Sequence, residues 1–337
     1  MNIIIETLPF VKDYFVFFCH FSPKSGVAKK GKTWYNIFII RERGGRAVKK
    51  RIVCLFLAAA ALILPLFSLS CADQSGTPAA WREQTFTVDV LATGKSDAIL
   101  VRTDGTVILI DTADTDDGDR IVSFLRDYGV QKIDLLILTH YDNDHVGGGA
   151  AVVRAFPVIR AVGPAYERDS ARMRALTAAL AERDVTLEKL TDDIRFETET
   201  GEVWINATKE TFNLSDESEE NNLSLIVSVI SAEHRFLFLG DALKARLAEY
   251  EDLPGALDHC DFLKLPHHGD WNKAIGLLLE ETSPGLAAVC AADGNDVEEK
   301  LSEKCAALSI NLLGTWDGGI HLSMDSADNV VFCRIFP

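Results

Sequence analysis

Six consecutive residues, His140-Tyr141-Asp142-Asn143-Asp144-His145, place two imidazoles and two carboxylates at the end of the apolar run "LLILT". Carboxylates this close repel by several kcal/mol at the effective dielectric of a protein surface. Either water screens the cluster or a cation occupies it. Two further apolar runs end in the same manner: "FLFLGD" stops at Asp241, and "FLKLPHHGD" reaches His267 and His268. Strand ends along one edge of a sheet bring such residues together, and the glycines beside them let backbone approach closely. Two or more imidazoles with three carboxylates can hold two divalent ions a few ångströms apart, lower the pKa of a bridging water and clamp a phosphoryl or carbonyl oxygen. Taken together, the three segments favour the cation.

The elements that must position these residues can be read from periodicity. Strands are expected at "TFTVDVLA", "AILVRT" and "TVILIDT", the last two joined by the Asp104-Gly105 turn signal. "GDRIVSFLRDYGV" has helical spacing through Ile121, Val122, Leu125 and Tyr128, and "IDLLILTH" is an apolar strand of the doubly covered kind. A helix is expected over "ERDSARMRALTAALAERD", then strands at "GEVWINA", "LSLIVSVI" and "HRFLFLGD", with a polar loop between the first two. The helix "ALKARLAEY" precedes the strand and loop of "CDFLKLPHHGD"; the strand "LAAVCAA" precedes the helix "DVEEKLSEKCAAL". "INLLGTW", "GGIHLSM" and "NVVFCRI" close the chain as strands. Strands come before helices in both halves, which implies two β-sheets packed face to face with helices outside.

Bulk charge narrows the substrate. The 337 residues hold 50 Asp/Glu against 34 Lys/Arg, a formal charge of −16. Residues 1–70 carry 11 Lys/Arg and 3 Asp/Glu, which leaves 23 and 47 for residues 71–337. So acidic a body repels polyanions over most of its surface and is a poor wrapper of duplex nucleic acid. A small molecule or a single strand suits it better.

The start of the chain reads as an address. Lys49-Lys50-Arg51 precedes sixteen uncharged residues, "IVCLFLAAAALILPLF", and then Ser68-Leu69-Ser70-Cys71. That is the order of a secretory signal, and the apolar run is shorter than the ~20 residues a bilayer requires. Export is expected, to the periplasm, the exterior or a membrane surface. Cys71 is the candidate for lipid anchoring, and that anchor is the sole membrane contact expected. Residues 1–47 are expected to be an untranslated or non-structural extension, with translation starting at Val48. Residues 48–71 are expected to form the signal, 72–84 a linker and 85–337 the folded domain that carries the three segments. Of the cysteines beyond Cys71, Cys260, Cys290, Cys305 and Cys333 allow two disulfides or four buried thiols. No protein partner is inferred.

"HYDNDHVGG", "NNLS" (Asn221–Ser224), "LGD" and "LKLPHHG" occur here in that order. They resemble the metallo-β-lactamase superfamily, and within it the soluble domain of the competence protein ComEC and its stand-alone relatives. The resemblance covers roughly Phe86 to Ile335. It implies an α/β (α+β) fold, the four-layer αββα sandwich, with two divalent ions at one edge: Mn²⁺ or Zn²⁺, with Mg²⁺ as a further option. By the same resemblance His140 and Asp142 hold one ion, Asp144, His145 and His267 hold the other, and Asp241 bridges. Asp144 also orients the attacking water or takes its proton, and His268 faces the substrate as a proton donor. Asn221 and Ser224 lie where other members place a further metal-binding histidine, so the first site is one ligand short. With Lys264 they make up the expected substrate-binding set. Asp142 in place of a histidine makes that site harder and favours Mn²⁺ or Mg²⁺. Asp270 replaces a usual serine, and the opening loop reads "LATGKSDA", with Asp97 kept.

Other residues carry blander expectations. His234, His259 and His321 are read as solvated or core histidines, and Asp111 as a support for a ligand. Arg154, Arg160, Arg168, Arg172, Arg174 and Arg183 form the densest arginine run. They are read as a solvated helix paired to Glu167, Asp169, Glu182 and Asp184, with a phosphate-holding rim as the sharper alternative. The reading that follows is an exported metal-dependent hydrolase, a phosphodiesterase or nuclease. The alternatives are a hydrolase of a carboxylic ester, lactone or lactam, and a metal-stabilised binding protein without turnover.

Overall fold

The computed structural model describes residues 85–209, 217–324 and 329–335, with strand backbone at 14–20 and 35–41. The signal-like segment, Cys71 and the linker lie outside the described residues. Met1–Glu83 and Gln84–Pro337 are separate units. In the first, β1 (Tyr14–His20) and β2 (Tyr35–Arg41) pair antiparallel, with Phe17 opposite Phe38.

The second unit opens with a meander of β3 (Phe86–Val90), β4 (Ile99–Thr103) and β5 (Thr106–Ile110). The turn between β4 and β5 takes positive φ at Asp104 and Gly105, where an Asp-Gly pair is favoured. α1 (Gly118–Asp127) then crosses over so that β6 (Ile133–Ile137) lies parallel to β5. Two short helices, α2 (Asn143–Val146) and α3 (Gly149–Ala155), lead to β7 (Val158–Pro164). α4 (Ala171–Ala181) leads to β8 (Leu187–Leu190), again parallel.

β9 (Ile194–Glu197), β10 (Gly201–Asn206), β11 (Ile226–Ser231) and β12 (His234–Phe238) make a second antiparallel run. Three parallel strands extend it: β13 (Phe262–Lys264), β14 (Leu286–Val289) and β15 (Asn311–Gly314). Their connections carry α5 (Lys244–Glu251), α6 (Lys273–Thr282) and α7 (Glu299–Ala307). The chain returns through β16 (Gly319–Met324), which pairs with β3, and β17 (Val330–Ile335). The sheets therefore run β17-β16-β3-β4-β5-β6-β7-β8 and β15-β14-β13-β12-β11-β10-β9.

Packing follows from which faces are apolar. Phe86 and Phe236 meet ring to ring, 4.5 Å apart, between the sheets. Outside the second sheet, Leu247, Tyr250, Leu278, Leu279 and Leu301 from the three helices close over Leu237, Leu263 and Val289. The result is the expected αββα sandwich. The helix expected from Glu167 begins later, at Ala171. Ser170 is extended there and its hydroxyl accepts the Met173 N–H at 3.1 Å, a side-chain cap that leaves Arg168 and Asp169 in the preceding loop. β7 and α6 carry no sequence expectation. Cys260, Cys290, Cys305 and Cys333 are free thiols, the first three buried, so the two-disulfide alternative falls. Among the described residues, no helix is long and apolar enough to cross a membrane.

Candidate metal centre

In both sheets an antiparallel run hands over to parallel strands, and the loops leaving the C-terminal ends of β5, β6, β12 and β13 meet at one edge. The β6 loop carries His140 and Asp142, and α2 carries Asp144 and His145. The glycines after them answer to crowding. A Cβ on Gly147 would come within 2.4 Å of the Thr115 amide nitrogen, and one on Gly148 within 2.4 Å of the Thr112 carbonyl oxygen. Asp241 follows Gly240 at the end of β12. Beyond β13 the chain turns through three residues of positive φ, His267, His268 and Gly269. Two consecutive non-glycine residues in that region store strain, a feature that clusters at functional sites.

One group of donors is compact. Ligand atoms of Asp144, His145, Asp241 and His268 all lie within 4.8 Å of one another. His145 Nε2 stands 3.3 Å from Asp241 Oδ2, and His268 Nε2 stands 3.3 Å from Asp241 Oδ2 and 3.1 Å from Asp144 Oδ2. On the other side of Asp241, His140 Nε2 lies 4.0 Å from Asp241 Oδ2 and 3.6 Å from Asp142 Oδ2.

The Nε2 atoms of His140 and His145 are buried and without a hydrogen-bond partner. Buried polar atoms are seldom left so. Divalent ions would supply the missing partners, and the donor set fits two of them: Asp144, His145, Asp241 and His268 would hold one, and His140, Asp142 and Asp241 the other. Asp97, Asp111 and His145 also lie within 4.8 Å of one another. Most of their oxygens are already committed: Asp97 Oδ2 to the Lys264 ammonium and both Asp111 oxygens to Thr139 and His145, while Asp97 Oδ1 is buried without a hydrogen-bond partner, 3.8 Å from His268 Nδ1. They buttress the centre.

Each imidazole is held by its other nitrogen. Asp111 Oδ2 lies 2.8 Å from His145 Nδ1, the Thr139 hydroxyl 3.1 Å from His140 Nδ1, and the Cys290 carbonyl oxygen 3.0 Å from His268 Nδ1. Such partners fix the ring and leave Nε2 facing the ion. Without an ion the cluster acts as mutually paired charges. Burial pulls the His145 pKa down, yet Asp241 and Asp111 lift it well above its ordinary value; His268 rises to about 9 against the same burial because Asp241 and Asp144 face it. Asp144 falls to about 2, since His268 and His145 outweigh its burial, and Asp241 is held well below the carboxylate range by His145 and His268.

Four expectations are revised. His268, 2% exposed, joins the donors, whereas the His267 side chain is 32% exposed with Nδ1 2.7 Å from Asp270 Oδ2. The adjacent imidazoles thus exchange the roles expected of them. Lys264 is fully buried against Asp97 and cannot reach a substrate. Ser224 is fully buried too, its hydroxyl accepting the Asp241 N–H at 3.3 Å, so it holds a ligand's backbone. Asn221 is buried, with Oδ1 lacking a hydrogen-bond partner. The arginine run is mostly spent on acids: Arg154 on Glu182, Arg160 on Glu188 and Arg174 on Asp169. Arg168 alone of them faces the centre, 3.6 Å from Asp142. Arg168 and Glu220 were not expected at the metals, because neither lies in a histidine-bearing motif.

The sequence profile of the metallo-beta-lactamase superfamily matches residues 91–292, from the end of β3 past β14. The chain belongs to the metallo-β-lactamase superfamily. Membership and donor set together make it a metal-dependent hydrolase. Among curated proteins, Recombination protein 2 of Haemophilus influenzae is 25% identical over 239 residues, 69% of this chain and 27% of that protein. ComE operon protein 3 of Bacillus subtilis is 24% identical over 209 residues, 59% of this chain and 25% of that protein. The hydroxyacylglutathione hydrolase of Stenotrophomonas maltophilia is 34% identical over 70 residues, 21% of this chain and 26% of that protein. The chain spans about a quarter of the length of these relatives. Among solved structures, the metallo-beta-lactamase fold protein YhfI from Bacillus subtilis aligns with a TM-score of 0.45 at 12% identity, covering 68% of this chain and 95% of that one.

Proposed function

We propose that this superfamily member hydrolyses an acyl bond, in a carboxylic ester, thioester, lactone or lactam of modest size. The observation that carries the reading is the charge at the mouth of the centre. Its accessible groups are Asp142, Asp144, His267 and Asp270, with side chains 30%, 33%, 32% and 44% exposed. The cations that could have held a phosphate are engaged: Lys264 by Asp97, Arg160 by Glu188, Arg168 by Asp142 and Glu220. An acidic mouth admits a neutral carbonyl more readily than a polyanion. The short match to hydroxyacylglutathione hydrolases agrees with this.

Two bound divalent ions acidify water and polarise the acyl oxygen. Asp144, whose carboxyl His268 and His145 hold low against its burial, is placed to orient the attacking water by accepting its hydrogen bond. His267, steadied by Asp270, is the accessible imidazole that can pass a proton to the departing oxygen, sulfur or nitrogen. His268, which would hold the ion, would not be free to do so.

Phosphodiester hydrolysis is the second reading, favoured by the longer matches to Recombination protein 2 and ComE operon protein 3. The segment Lys49–Cys71 adds a proposal of export, with Cys71 as the candidate anchor. The test uses the full chain, stripped by a chelator and reloaded with Mn²⁺ or Zn²⁺. It is offered p-nitrophenyl acetate, a thioester, a lactone, bis(p-nitrophenyl) phosphate and single-stranded DNA. Acyl turnover that Asp144→Ala abolishes supports the proposal. Faster phosphodiester turnover transfers the assignment to the second reading, and two bound ions with no turnover leave a binding protein.

A further inference from the structure

Apart from Asp144, every donor of the centre has a neighbour that fixes it, and for Asp142 that neighbour is unusual. His140, His145 and His268 are held through Nδ1, as described, and Asp241 Oδ1 accepts the His267 N–H at 3.2 Å. Asp142 heads α2, but its side chain makes no capping hydrogen bond. Its far oxygen, Oδ1, instead lies 3.6 Å from Arg168 Nη1, while Oδ2 lies 3.6 Å from His140 Nε2. The same Arg168 nitrogen is 2.5 Å from Oε2 of Glu220, a carboxylate 7% exposed.

The loop that presents Arg168 is firmly built. Tyr166 Oη accepts the Tyr141 N–H at 2.8 Å, Tyr141 Oη donates to the Pro164 carbonyl at 2.8 Å, and the two rings stand 4.5 Å apart. Ser170 then starts α4. Arg168 is thereby fixed at its backbone on both sides and at its guanidinium by Glu220.

We propose that Arg168, clamped by Glu220, is a positioning residue that orients Asp142 and so sets the affinity of the ion on the His140 side. The inference rests on the reading that the centre takes two ions. The guanidinium draws one oxygen of Asp142 outward and leaves the other for the ion. A carboxylate whose second oxygen faces a cation at ion-pair distance is biased toward one orientation, where an unrestrained carboxylate at 30% exposure would rotate freely. Glu220 also cancels the arginine's charge, so that a cation next to Asp142 does not repel the approaching ion. Charge neutrality and orientation come from one pair.

The experiment titrates Mn²⁺ into the metal-stripped full chain, with stepwise affinities from calorimetry and stoichiometry from elemental analysis. The wild type, Arg168→Met, Arg168→Lys and Glu220→Gln are compared. The expected result is two ions for the wild type. In Arg168→Met one of them weakens by about ten- to a hundred-fold and the other is unchanged. Arg168→Lys should recover part of the loss, because it restores charge without the planar fork. Glu220→Gln, which frees the guanidinium without removing it, serves if the methionine variant fails to fold. Unchanged affinities in every folded variant overturn the inference, as does equal weakening of both ions. A wild type that takes up one ion removes the two-ion centre and this inference with it, and the wild-type titration alone tells that result apart.

Discussion

One oxygen of Asp111 serves two groups: Oδ2 lies 2.8 Å from His145 Nδ1 and accepts the Thr139 hydroxyl at 2.7 Å. Asp111 itself sits at φ 59, in the left-handed region. Asparagine is among the few residues that adopt this φ without large cost. Asp111→Asn should therefore keep the backbone while it removes the charge behind His145 and turns one of the two accepting oxygens into an N–H donor. Mn²⁺ affinity is expected to fall by about ten- to a hundred-fold with little change in the melting temperature of the stripped protein. A competition titration against a chelator measures it; unchanged affinity would show that Asp111 does not tune the ligand.

The exchange of the two adjacent histidines can be tested directly. His268→Ala removes a donor and should cost an ion outright, more than the ~100-fold seen when a supporting residue is lost. His267→Ala should leave both ions in place and lower kcat with little effect on metal content. Elemental analysis beside steady-state kinetics separates the two. Ion loss in His267→Ala, with His268→Ala fully loaded, would restore the assignment first expected from the motif.

Lys264 and Asp97 form a fully buried ion pair, and the charge of Asp97 raises the lysine pKa despite burial. Lys264→Met leaves a lone buried carboxylate and should destabilise the fold by about 3 to 5 kcal/mol. Adding Asp97→Asn should restore a large part of that. Urea unfolding of the single and double variants gives the coupling. Additive losses would mean the two charges do not support one another.

Glu251 supplies a pH dependence remote from the metals. Burial, and then the neighbouring Asp252, raise its pKa to about 7. The folded chain therefore holds this proton more tightly than the unfolded chain. Stability from this group is intact below the ordinary glutamate pKa and declines as pH rises toward about 7. Glu251→Gln should thus stabilise the protein at pH ~8 by about 1 kcal/mol after allowance for solvent screening, and leave it unchanged near pH ~4. Melting curves at both pH values decide it; an equal shift at each would point to packing.

What the sequence reveals of this centre depends on distance along the chain. His140, Asp142, Asp144 and His145 sit within six residues of one strand end, so their convergence is legible from spacing. His267 and His268 are adjacent, and spacing cannot say which turns inward. The choice is made by a left-handed turn at φ 47 and 53, which no hydropathy pattern encodes. Lys264 looks like a substrate cation because its partner, Asp97, is 167 positions away. Arg168 falls inside a stretch with helical composition, and only the Ser170 cap shows that the helix begins after it. The layers were easier. Runs such as "TVILI" and "IDLLI" are apolar on both faces and had to be covered on both, whereas the half-buried strand β9 lacks a comparable pattern; α6 was legible after all, through Asn272 as its cap and Ile275, Leu278 and Leu279 at helical spacing.

The Asp97–Lys264 pair also imposes an order on assembly. Asp97 belongs to the first sheet's loops and Lys264 to β13 in the second, so a growing chain makes the carboxylate long before its cation. Burying Asp97 alone costs several kcal/mol, which keeps the first half from closing on itself as a finished piece. Closure waits for β13, and the same stretch of chain delivers His268. The last donor of the four-residue site and the last counter-charge thus lie on one stretch of chain, so that site would be completed late, whereas His140, Asp142 and Asp241 all precede it.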